Sequence, residues 1–513
     1  MLAALVGLCL PIAALANQTS TVTPVIVDGD LPYSVELRRY DMGAAQVPTV
    51  HSFIAGEHAG QWVVVGGLTN GLHGFDLNDA DVPGRRTNRD VWVIDPHTRE
   101  TWARTIDAGD AGSGFTELEV LSLTTANAQF EQVGDTLYKV GGYGDNDPAN
   151  PDDRGTFSTL SAIDLPGIVD WVKGGAGQAA DHVRQISDPL FTVTGGDLYE
   201  IDGQMHLVFG QDYQGRYRGR LTGEYTNQVR TFTIQDDGGS LGFTTVGSST
   251  PSAEFRRRDL NVYPALTKQN DGTIAEGITA LSGVFTEADG YWTVPVEIDA
   301  TGQPTQIDGG LDPLNAGGEL DADDGVFKQA MNIYHSAKLG LFSAEAGEMH
   351  QVLMGGITLQ EYDPGNAAAD ALGFVTDDDL PNTSQMTAVV RNADGSYEQH
   401  YLGAYPEMLT DDGDLMRFGS NAEFFLDEGV PAYDNGVVDL DTIMRNVMPG
   451  NAVRVGFVYG GIVANAPHVF NNPGALSSAS GEVFEVILTV AIPEPGSSAI
   501  AMTLVLAAGR RRW

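Results

Sequence analysis

The stretch Val63-Val64-Val65-Gly66-Gly67 decides the fold of this chain, because related stretches recur along most of its length. Each copy is an apolar strand that ends in a glycine pair or its remnant, and the copies occupy residues 63–67, 137–142, 206–210, 279–283, 352–356 and 457–461. Counted from Gly66, successive copies are 75, 69, 73, 72 and 105 residues apart. So regular a period predicts a repeat fold, a propeller or a solenoid, in which neighbouring units bury each other's faces.

The sequence between the copies predicts strands rather than helices. Short runs of strand-like composition alternate with glycine, aspartate and asparagine turns, and helical periodicity is scarce. We therefore expect an all-β propeller whose blades are four-stranded antiparallel sheets around a central channel. The long last step predicts an insertion, roughly residues 427–451, rather than an extra blade. Six blades is the main prediction, and seven is the alternative.

The first unit resembles a Kelch repeat. After its glycine pair come residues 88–96, Asn-Arg-Asp-Val-Trp-Val-Ile-Asp-Pro, and then Trp102. His51-Ser52-Phe53 and His335-Ser336-Ala337 resemble the start of the innermost strand of a Kelch blade. The resemblance extends over most of residues 45–490 and is weakest in the fourth unit. It implies that the glycines allow a tight turn where a side chain would clash, and that the tryptophan fills the gap between blades.

The two ends of the repeat array predict how the ring closes. Residues 33–40 alternate between apolar Val35 and Leu37 and polar Glu36 and Arg38, as expected of an edge strand. A last apolar strand covers residues 483–490. We expect the N-terminal strand to pair into the last blade, because this would cover an otherwise open sheet edge.

The C-terminal residues 491–513 contain a recognisable signal. A Pro493-Glu494-Pro495 box precedes an apolar segment at 498–509 and the cluster Arg510-Arg511-Arg512. This resembles the PEP-CTERM sorting signal of Gram-negative bacteria and implies an exosortase-type membrane protease as partner. The segment is shorter than the roughly 20 residues that span a bilayer, so we expect a short apolar helix that inserts transiently, with its arginines on the cytoplasmic side. An ordinary C-terminal tail anchor is the alternative.

The N-terminus has the features of a signal peptide. Residues 2–16 are apolar and end in Ala14-Leu15-Ala16, a small-x-small pattern that predicts cleavage after Ala16. The single cysteine, Cys9, lies in this segment, so the mature protein would lack disulfides, thiolate metal sites and cysteine nucleophiles. The predicted organisation is a signal peptide (1–16), a propeller (17–490) and a sorting signal (491–513). The protein would be exported to the cell envelope, the outer surface or the extracellular matrix.

The charge of the chain excludes some classes of partner. Its formal net charge is -41. Such a surface repels nucleic acid, because neutralising phosphates requires clustered lysine and arginine. We therefore expect no nucleic-acid partner.

One mouth of the channel is the predicted binding site. The loops that lead into the innermost strands should precede His51, Gln129, Thr192, Tyr263, His335 and Asn421. The side chains that these loops would bring together are Arg256, Arg257, Arg258, Asp259, Tyr263, Tyr334 and His335. Arginine, tyrosine and histidine around a concave opening suit a sugar or a carboxylate. The alternative is that the arginines pair with acidic residues of neighbouring blades and the tyrosines pack in the core.

Two acidic runs are candidate calcium sites. Asp321, Asp323 and Asp324 form one run, and residues 145–147 with 152–153 form the other. Carboxylate oxygens are the ligands that calcium prefers, although neither run has EF-hand spacing. Solvated turns are the alternative.

No catalytic motif stands out. The sequence contains no His-Glu-x-x-His, while a pair of carboxylates for glycoside cleavage is defined only in three dimensions. We therefore expect a binding or scaffold protein of the cell envelope or exopolysaccharide matrix, whose partner is a polysaccharide or an envelope protein. The alternative is an extracellular enzyme that acts on carbohydrate at the channel mouth.

Overall fold

The computed structural model describes residues 22–72, 86–147, 150, 153–217, 223–286, 290–307, 326–469 and 475–492. In these ranges, antiparallel sheets are arranged as a six-bladed β-propeller. The prediction of an all-β, six-bladed propeller is confirmed, and the seven-bladed alternative is wrong. The signal peptide with its cleavage site at Ala16, the sorting signal from Pro493 onward and the apolar segment at 498–509 lie outside the described residues.

The first three blades follow one another along the chain, after the N-terminal strand β1 (Tyr33–Tyr40). Blade 1 consists of β2 (Ile54–His58), β3 (Gln61–Val65), β4 (Asp90–Asp95) and β5 (Glu100–Thr105). Blade 2 consists of β6 (Gln129–Val133), β7 (Thr136–Val140), β10 (Thr159–Asp164) and β11 (Val183–Ser187), with a hairpin of β8 (Tyr143–Asp145) and β9 (Arg154–Thr156). Blade 3 consists of β12 (Asp197–Ile201), β13 (Gln204–Val208), β16 (Val229–Asp236) and β17 (Leu241–Ser248), with a hairpin of β14 (Gln211–Asp212) and β15 (Glu224–Tyr225).

The other three blades complete the ring. Blade 4 consists of β18 (Asn261–Lys268), β19 (Ile274–Leu281), β20 (Val296–Asp299) and β21 (Pro304–Gln306). Blade 5 consists of β22 (Ala337–Ser343), β23 (Glu348–Ile357), β26 (Asn382–Arg391) and β27 (Tyr397–Ala404), with a hairpin of β24 (Gln360–Tyr362) and β25 (Phe374–Thr376). Blade 6 consists of β28 (Arg417–Leu426), β30 (Ala452–Ala464), β32 (Val483–Val490) and β1, with β31 (Ser477–Ala479) paired to β30.

Helical segments are short. The α-helices are α1 (Glu117–Leu123), α2 (Leu165–Val172) and α3 (Leu440–Asn446). The 3₁₀ turns are Ala179–His182, Pro189–Phe191 and Ala253–Phe255. Thr116 begins α1 with a capping box, in which its side chain and that of Glu119 bond to each other's backbone N–H.

The ring closes as the sequence predicts. β1 pairs antiparallel with β32 along its whole length, from Tyr33 opposite Val490 to Tyr40 opposite Val483. Leu37 is buried in the core of blades 5 and 6, whereas Glu36 on the other face of the strand is exposed. The N-terminal strand therefore covers the outer edge of the last blade and joins the two ends of the array.

The recurring glycine pairs have a steric cause. At both positions of the pair the backbone has a positive φ in all six units, and in the third and fourth units Phe209 and Ser282 take the first position with φ of 51° and 45°. A Cβ added to Gly141 would lie 2.1 Å from the carbonyl oxygen of Val193, in the loop that leads into blade 3. The pair thus allows each second strand to approach the backbone of the next blade.

Aromatic side chains fill the gaps between blades. The Trp62 ring of blade 1 stacks on Phe425 of blade 6 at 4.4 Å between ring centroids. Trp102 is partly buried against an apolar cluster that blades 1 and 2 share, and the Lys173 ammonium lies 4.2 Å from its ring centroid. Such rings bury a large apolar area each, so they stabilise the contact between neighbouring blades.

The long last repeat holds an insertion, as predicted. Within residues 427–451, β29 (Val438–Asp439) is followed directly by α3. β29 pairs in parallel with Leu341 and Phe342 of β22, the innermost strand of blade 5. A strand added to the inner edge of an innermost strand must lie within the channel. The insertion therefore narrows the channel at the end opposite the loops that lead into the blades.

Candidate functional site

Six residues with positive φ surround one mouth of the channel, each at the start of an innermost strand. This collar consists of Ser52, Asn127, Gly195, Asp259, His335 and Asn421. Neighbouring collar residues meet at six junctions around the ring. At four of them the backbone N–H of one collar residue donates to the carbonyl of the collar residue in the preceding blade, over 2.7–3.1 Å. At the other two junctions side chains make the contact: Asn421 donates to the Ser52 hydroxyl (3.0 Å), and His335 Nε2 lies 3.4 Å from Asp259 Oδ1. The collar fixes which side chains meet at the mouth.

The mouth contains a cavity of about 120 Å³, here called the mouth cavity. Four of the seven predicted site residues line it, namely Arg258, Asp259, Tyr334 and His335. Further polar and aromatic side chains complete its wall: His51, Asn127, Tyr143, Arg154, Gln211, Tyr213, Arg216, Tyr217 and Asn421. The structure therefore brings arginines, tyrosines and histidines together at one mouth.

One wall of the mouth cavity is a small sheet that two blades share. The hairpin β8–β9 of blade 2 meets the hairpin β14–β15 of blade 3 through a bridge between Gly155 and Gln214. The Thr156 N–H donates to the Tyr213 carbonyl (3.0 Å), and the Gly215 N–H donates to the Arg154 carbonyl (2.8 Å). These bonds join the backbones of the two hairpins. The hairpins therefore form one wall from which their side chains enter the cavity.

Arg154 is held by an ion pair across its own hairpin. Its Nε lies 3.0 Å from Asp145 Oδ1, and both side chains are almost fully buried. Removing either partner from such a pair leaves an uncompensated buried charge. Asp145 belongs to the second of the two acidic runs that are candidate calcium sites. In the structure its carboxylate faces the guanidinium group of Arg154.

Asp259 is the centre of a hydrogen-bond network in the mouth cavity. Its carboxylate accepts hydrogen bonds from Arg258 Nη1 and from the Tyr334 hydroxyl (3.1 Å), and it faces the His335 ring. Burial alone would raise the pKa of Asp259, but Arg258, with His335 and Tyr334, holds that pKa well below its usual range. Burial and the Asp259 charge raise the pKa of the Tyr334 hydroxyl well above its ordinary value. At neutral pH the network therefore contains an ionised carboxylate and a protonated phenol.

Arg258 joins this network to the opposite wall. Its Nη2 donates to the Tyr217 hydroxyl (2.6 Å), and its Nε donates to the Tyr225 hydroxyl (3.1 Å). With the Asp259 bond, three of its five N–H groups have partners in the described part of the chain. The remaining N–H groups can donate to a ligand or to water.

The other three predicted site residues have structural contacts instead. Arg257 is fully buried, donates to the carbonyls of Glu254, Ser282 and Val294 over 2.7–3.1 Å, and lies over the Trp292 ring. Arg256 lies 3.8 Å from the centroid of the Tyr225 ring. The Tyr263 hydroxyl donates to the Val352 carbonyl (2.7 Å). None of the three lines the mouth cavity. Tyr263 thus packs in the core, as in the alternative interpretation, whereas the contacts of Arg256 and Arg257 are with aromatic rings and backbone carbonyls.

Several residues that line the mouth cavity were not predicted from the sequence. Among them are the amides Asn127, Gln211 and Asn421, whose side-chain oxygens are buried and have no hydrogen-bond partner among the described residues. Asn127 and Asn421 stand at the repeat position that Asp259 and His335 also occupy, so an alignment of the collar would have found them. Gln211 and Arg154 lie on the hairpins, whose pairing follows no repeat.

A second cavity of about 230 Å³, here called the lower cavity, lies deeper in the channel, and His335 lines both cavities. Its wall includes Glu131, Asp197 and Glu423, with Lys338 Nζ 2.8 Å from Asp197 Oδ2. Burial, together with the Asp197 charge, raises the pKa of Glu131 to about 8. Burial also raises the pKa of Glu423 to about 7. The channel is thus lined by arginines at its mouth and by carboxyl groups below.

Metal binding finds no support in the described ranges, where no group of three or more His, Cys, Asp or Glu side chains could hold a metal ion. The predicted calcium ligands Asp321, Asp323 and Asp324 lie outside those ranges, and calcium binding there stays a prediction.

The described residues also contain no helix that is both long enough and apolar enough to cross a bilayer. No protein-family model matches this chain, and no curated protein matches it either.

Proposed function

We propose that this protein is an exported, surface-sorted propeller that binds an acidic saccharide of the cell envelope or exopolysaccharide matrix in the mouth cavity. A β-propeller fold is consistent with a binding or scaffold role. The fold hosts many functions, so the proposal depends on the chemistry of the site.

The observation that carries the proposal is the pairing of donors and acceptors in the mouth cavity. Arginine N–H groups donate, and the unpartnered side-chain oxygens of Asn127, Gln211 and Asn421 accept. A sugar hydroxyl both donates and accepts, so it suits a wall that offers both. Tyrosine rings such as Tyr213 and Tyr217 add apolar surface next to these groups.

The charge of the mouth favours an acidic sugar over a neutral one. Among the described residues that line the mouth cavity are three arginines, Arg154, Arg216 and Arg258. Asp259 lies in the same wall, and Asp145 pairs with Arg154. The chain as a whole has a formal net charge of -41. Guanidinium groups gathered at one mouth of so acidic a protein suit a ligand carboxylate, which arginine binds with charge-assisted hydrogen bonds.

The course of the last strand supports the proposed sorting. β32 begins beside the glycine pair of the sixth unit, where Val483 faces Tyr459, and ends where Val490 bonds to Asn451. The chain therefore leaves the propeller at the face opposite the mouth. A tail held in a membrane would leave the mouth cavity facing away from that membrane.

An enzyme that acts on carbohydrate remains the second candidate. The observation that favours it is the His335 imidazole, which an ionised Asp259 orients at the edge of the mouth cavity. An imidazole so held can exchange a proton with a bound sugar. Product formed from a bound saccharide, and lost in a His335→Gln variant, would distinguish catalysis from recognition.

A glycan array probed with residues 17–491 tests the proposal. Acidic saccharides should bind, neutral ones should not, and Arg216→Ala should weaken binding at least tenfold. Arg38→Ala, on the exposed face of β1, is the matched control and should bind normally. Equal binding of neutral and acidic sugars, or an Arg216→Ala variant that binds like the control, would contradict the proposal.

The sorting part is tested separately in a Gram-negative host that has an exosortase. Removing residues 492–513 should release the protein to the medium or leave it unsorted, whereas unchanged retention at the cell surface would refute the tail assignment.

A further inference from the structure

The insertion narrows the channel between the mouth and the opposite face. β29 pairs on the inner edge of β22, and the residues just before it, Asn435, Gly436 and Val437, line the lower cavity. Facing residues of the same cavity come from blades 2, 3 and 6, for example Glu131, Tyr199 and Glu423. The insertion thus lies in the channel beneath the mouth. A polymer that entered at the mouth would meet it.

The groups that could bind an anion also end at His335. Beyond this residue the wall changes from arginines to the carboxyl groups of Glu131, Asp197 and Glu423, and Lys338 pairs with Asp197. An anionic chain would gain charge-assisted hydrogen bonds from arginine in the mouth cavity and none of that kind in the lower cavity. Both the insertion and the charge therefore favour a ligand that stops at the level of His335.

The size of the mouth cavity limits how much of a ligand fits. Its volume of about 120 Å³ is small, so only a short part of a saccharide chain fits inside it, and the shared sheet of blades 2 and 3 bounds it on one side. A chain that crossed the mouth sideways would have to pass over this sheet. A chain that enters by its end needs only one opening.

From these observations we propose that the mouth cavity recognises the terminal unit of an acidic polysaccharide end-on, and not a segment within the chain. The inference rests on the proposed function, because it names which part of the saccharide the site takes. It implies one protein molecule for each chain end, so the protein would cap or tether polysaccharide ends rather than coat chains.

A series of oligouronates from one to six units, together with the intact polymer, tests this inference by titration calorimetry. Affinity per molecule should reach a plateau by two or three units, and the number of proteins bound per polymer chain should be one at any length. Chemical modification of one chain end, by reduction of the reducing end or blocking of the other, should weaken binding at least tenfold. Modification of the opposite end should have no effect.

The outcomes separate this inference from the proposed function. If affinity or the number of bound proteins grows with chain length, or if neither end modification matters, end-on recognition is wrong although acidic saccharides still bind. If no member of the series binds, both are wrong.

Discussion

His335 Nε2 lies 3.4 Å from Asp259 Oδ1 across the junction between blades 4 and 5. Both residues have a left-handed backbone, with φ of 41° and 50°. Such conformations cost about 1–3 kcal/mol at non-glycine residues and persist where the surroundings enforce them. The five other collar junctions are closed by backbone hydrogen bonds or by neutral side chains. This junction therefore differs from the others in placing a titratable pair at the mouth.

The first prediction concerns Asp259→Asn. The change leaves Arg258 buried without its counter-charge, and breaking a buried pair in this way typically costs 3–5 kcal/mol. We expect a decrease of about 3 kcal/mol in the free energy of unfolding, measured by urea denaturation, and loss of saccharide binding. Glu36→Gln, which breaks the exposed pair with Arg38, is the control and should cost about 0–1 kcal/mol. Equal effects of the two changes would contradict the role of Asp259.

The second prediction separates two adjacent arginines. Arg258→Met should abolish binding, because its guanidinium lines the mouth cavity. Arg257→Met should instead lower the free energy of unfolding by about 3 kcal/mol, because it leaves buried carbonyls without a donor. The dissociation constant of the folded Arg257→Met protein should equal that of the wild type. A large loss of affinity in that variant, measured under conditions where it is folded, would show that Arg257 contributes to the site.

These two arginines also show what sequence reasoning achieved at the site. The repeat period predicted that the loop before β18 reaches the mouth, and it does. It was unable to distinguish Arg256, Arg257 and Arg258, because consecutive residues in an irregular loop have no periodicity that assigns them to a face. Their surroundings decide: Trp292 and three carbonyls enclose Arg257, whereas tyrosines and Asp259 hold Arg258 at the cavity.

At the level of the fold, regular features were predictable and local ones were not. Blade number, the pairing of β1 with β32 and the insertion follow from period and alternation, which apply along the whole chain. The shared sheet over the mouth depends on one contact between two loops, Gly155 with Gln214, and neither loop contains a repeat that would indicate it. The Phe209 and Ser282 positions show the converse, since the fold imposes a left-handed backbone there without glycine.

The third prediction concerns ring closure. Leu37→Ala removes a side chain that is buried where β1 covers the last blade, and core truncations of this kind cost about 2–5 kcal/mol. We expect a loss in the lower half of this range, because the strand is at the sheet edge. Ser34→Ala, at an exposed position of the same strand, should change the free energy of unfolding by less than about 0.5 kcal/mol. Chemical denaturation of both variants checks this, and a Leu37→Ala protein as stable as Ser34→Ala would mean that the closing strand adds little.

The last prediction is a dependence of stability on pH that originates in the lower cavity. In the folded protein the pKa of Glu131 is raised to about 8 and that of Glu423 to about 7, against about 4.5 in an unfolded chain. Between pH 4.5 and pH 8 the folded state therefore binds more protons than the unfolded state, so stability falls as the pH rises through this window. Asp259 acts in the opposite sense but at lower pH, because its pKa is held below the usual value and its contribution is lost only as the pH falls below about 4. These two groups together should make the free energy of unfolding roughly 6 kcal/mol larger at pH 5 than at pH 8 in urea denaturation, and Glu131→Gln/Glu423→Gln should remove that difference. A double variant with the same pH dependence as the wild type would assign the effect to other groups.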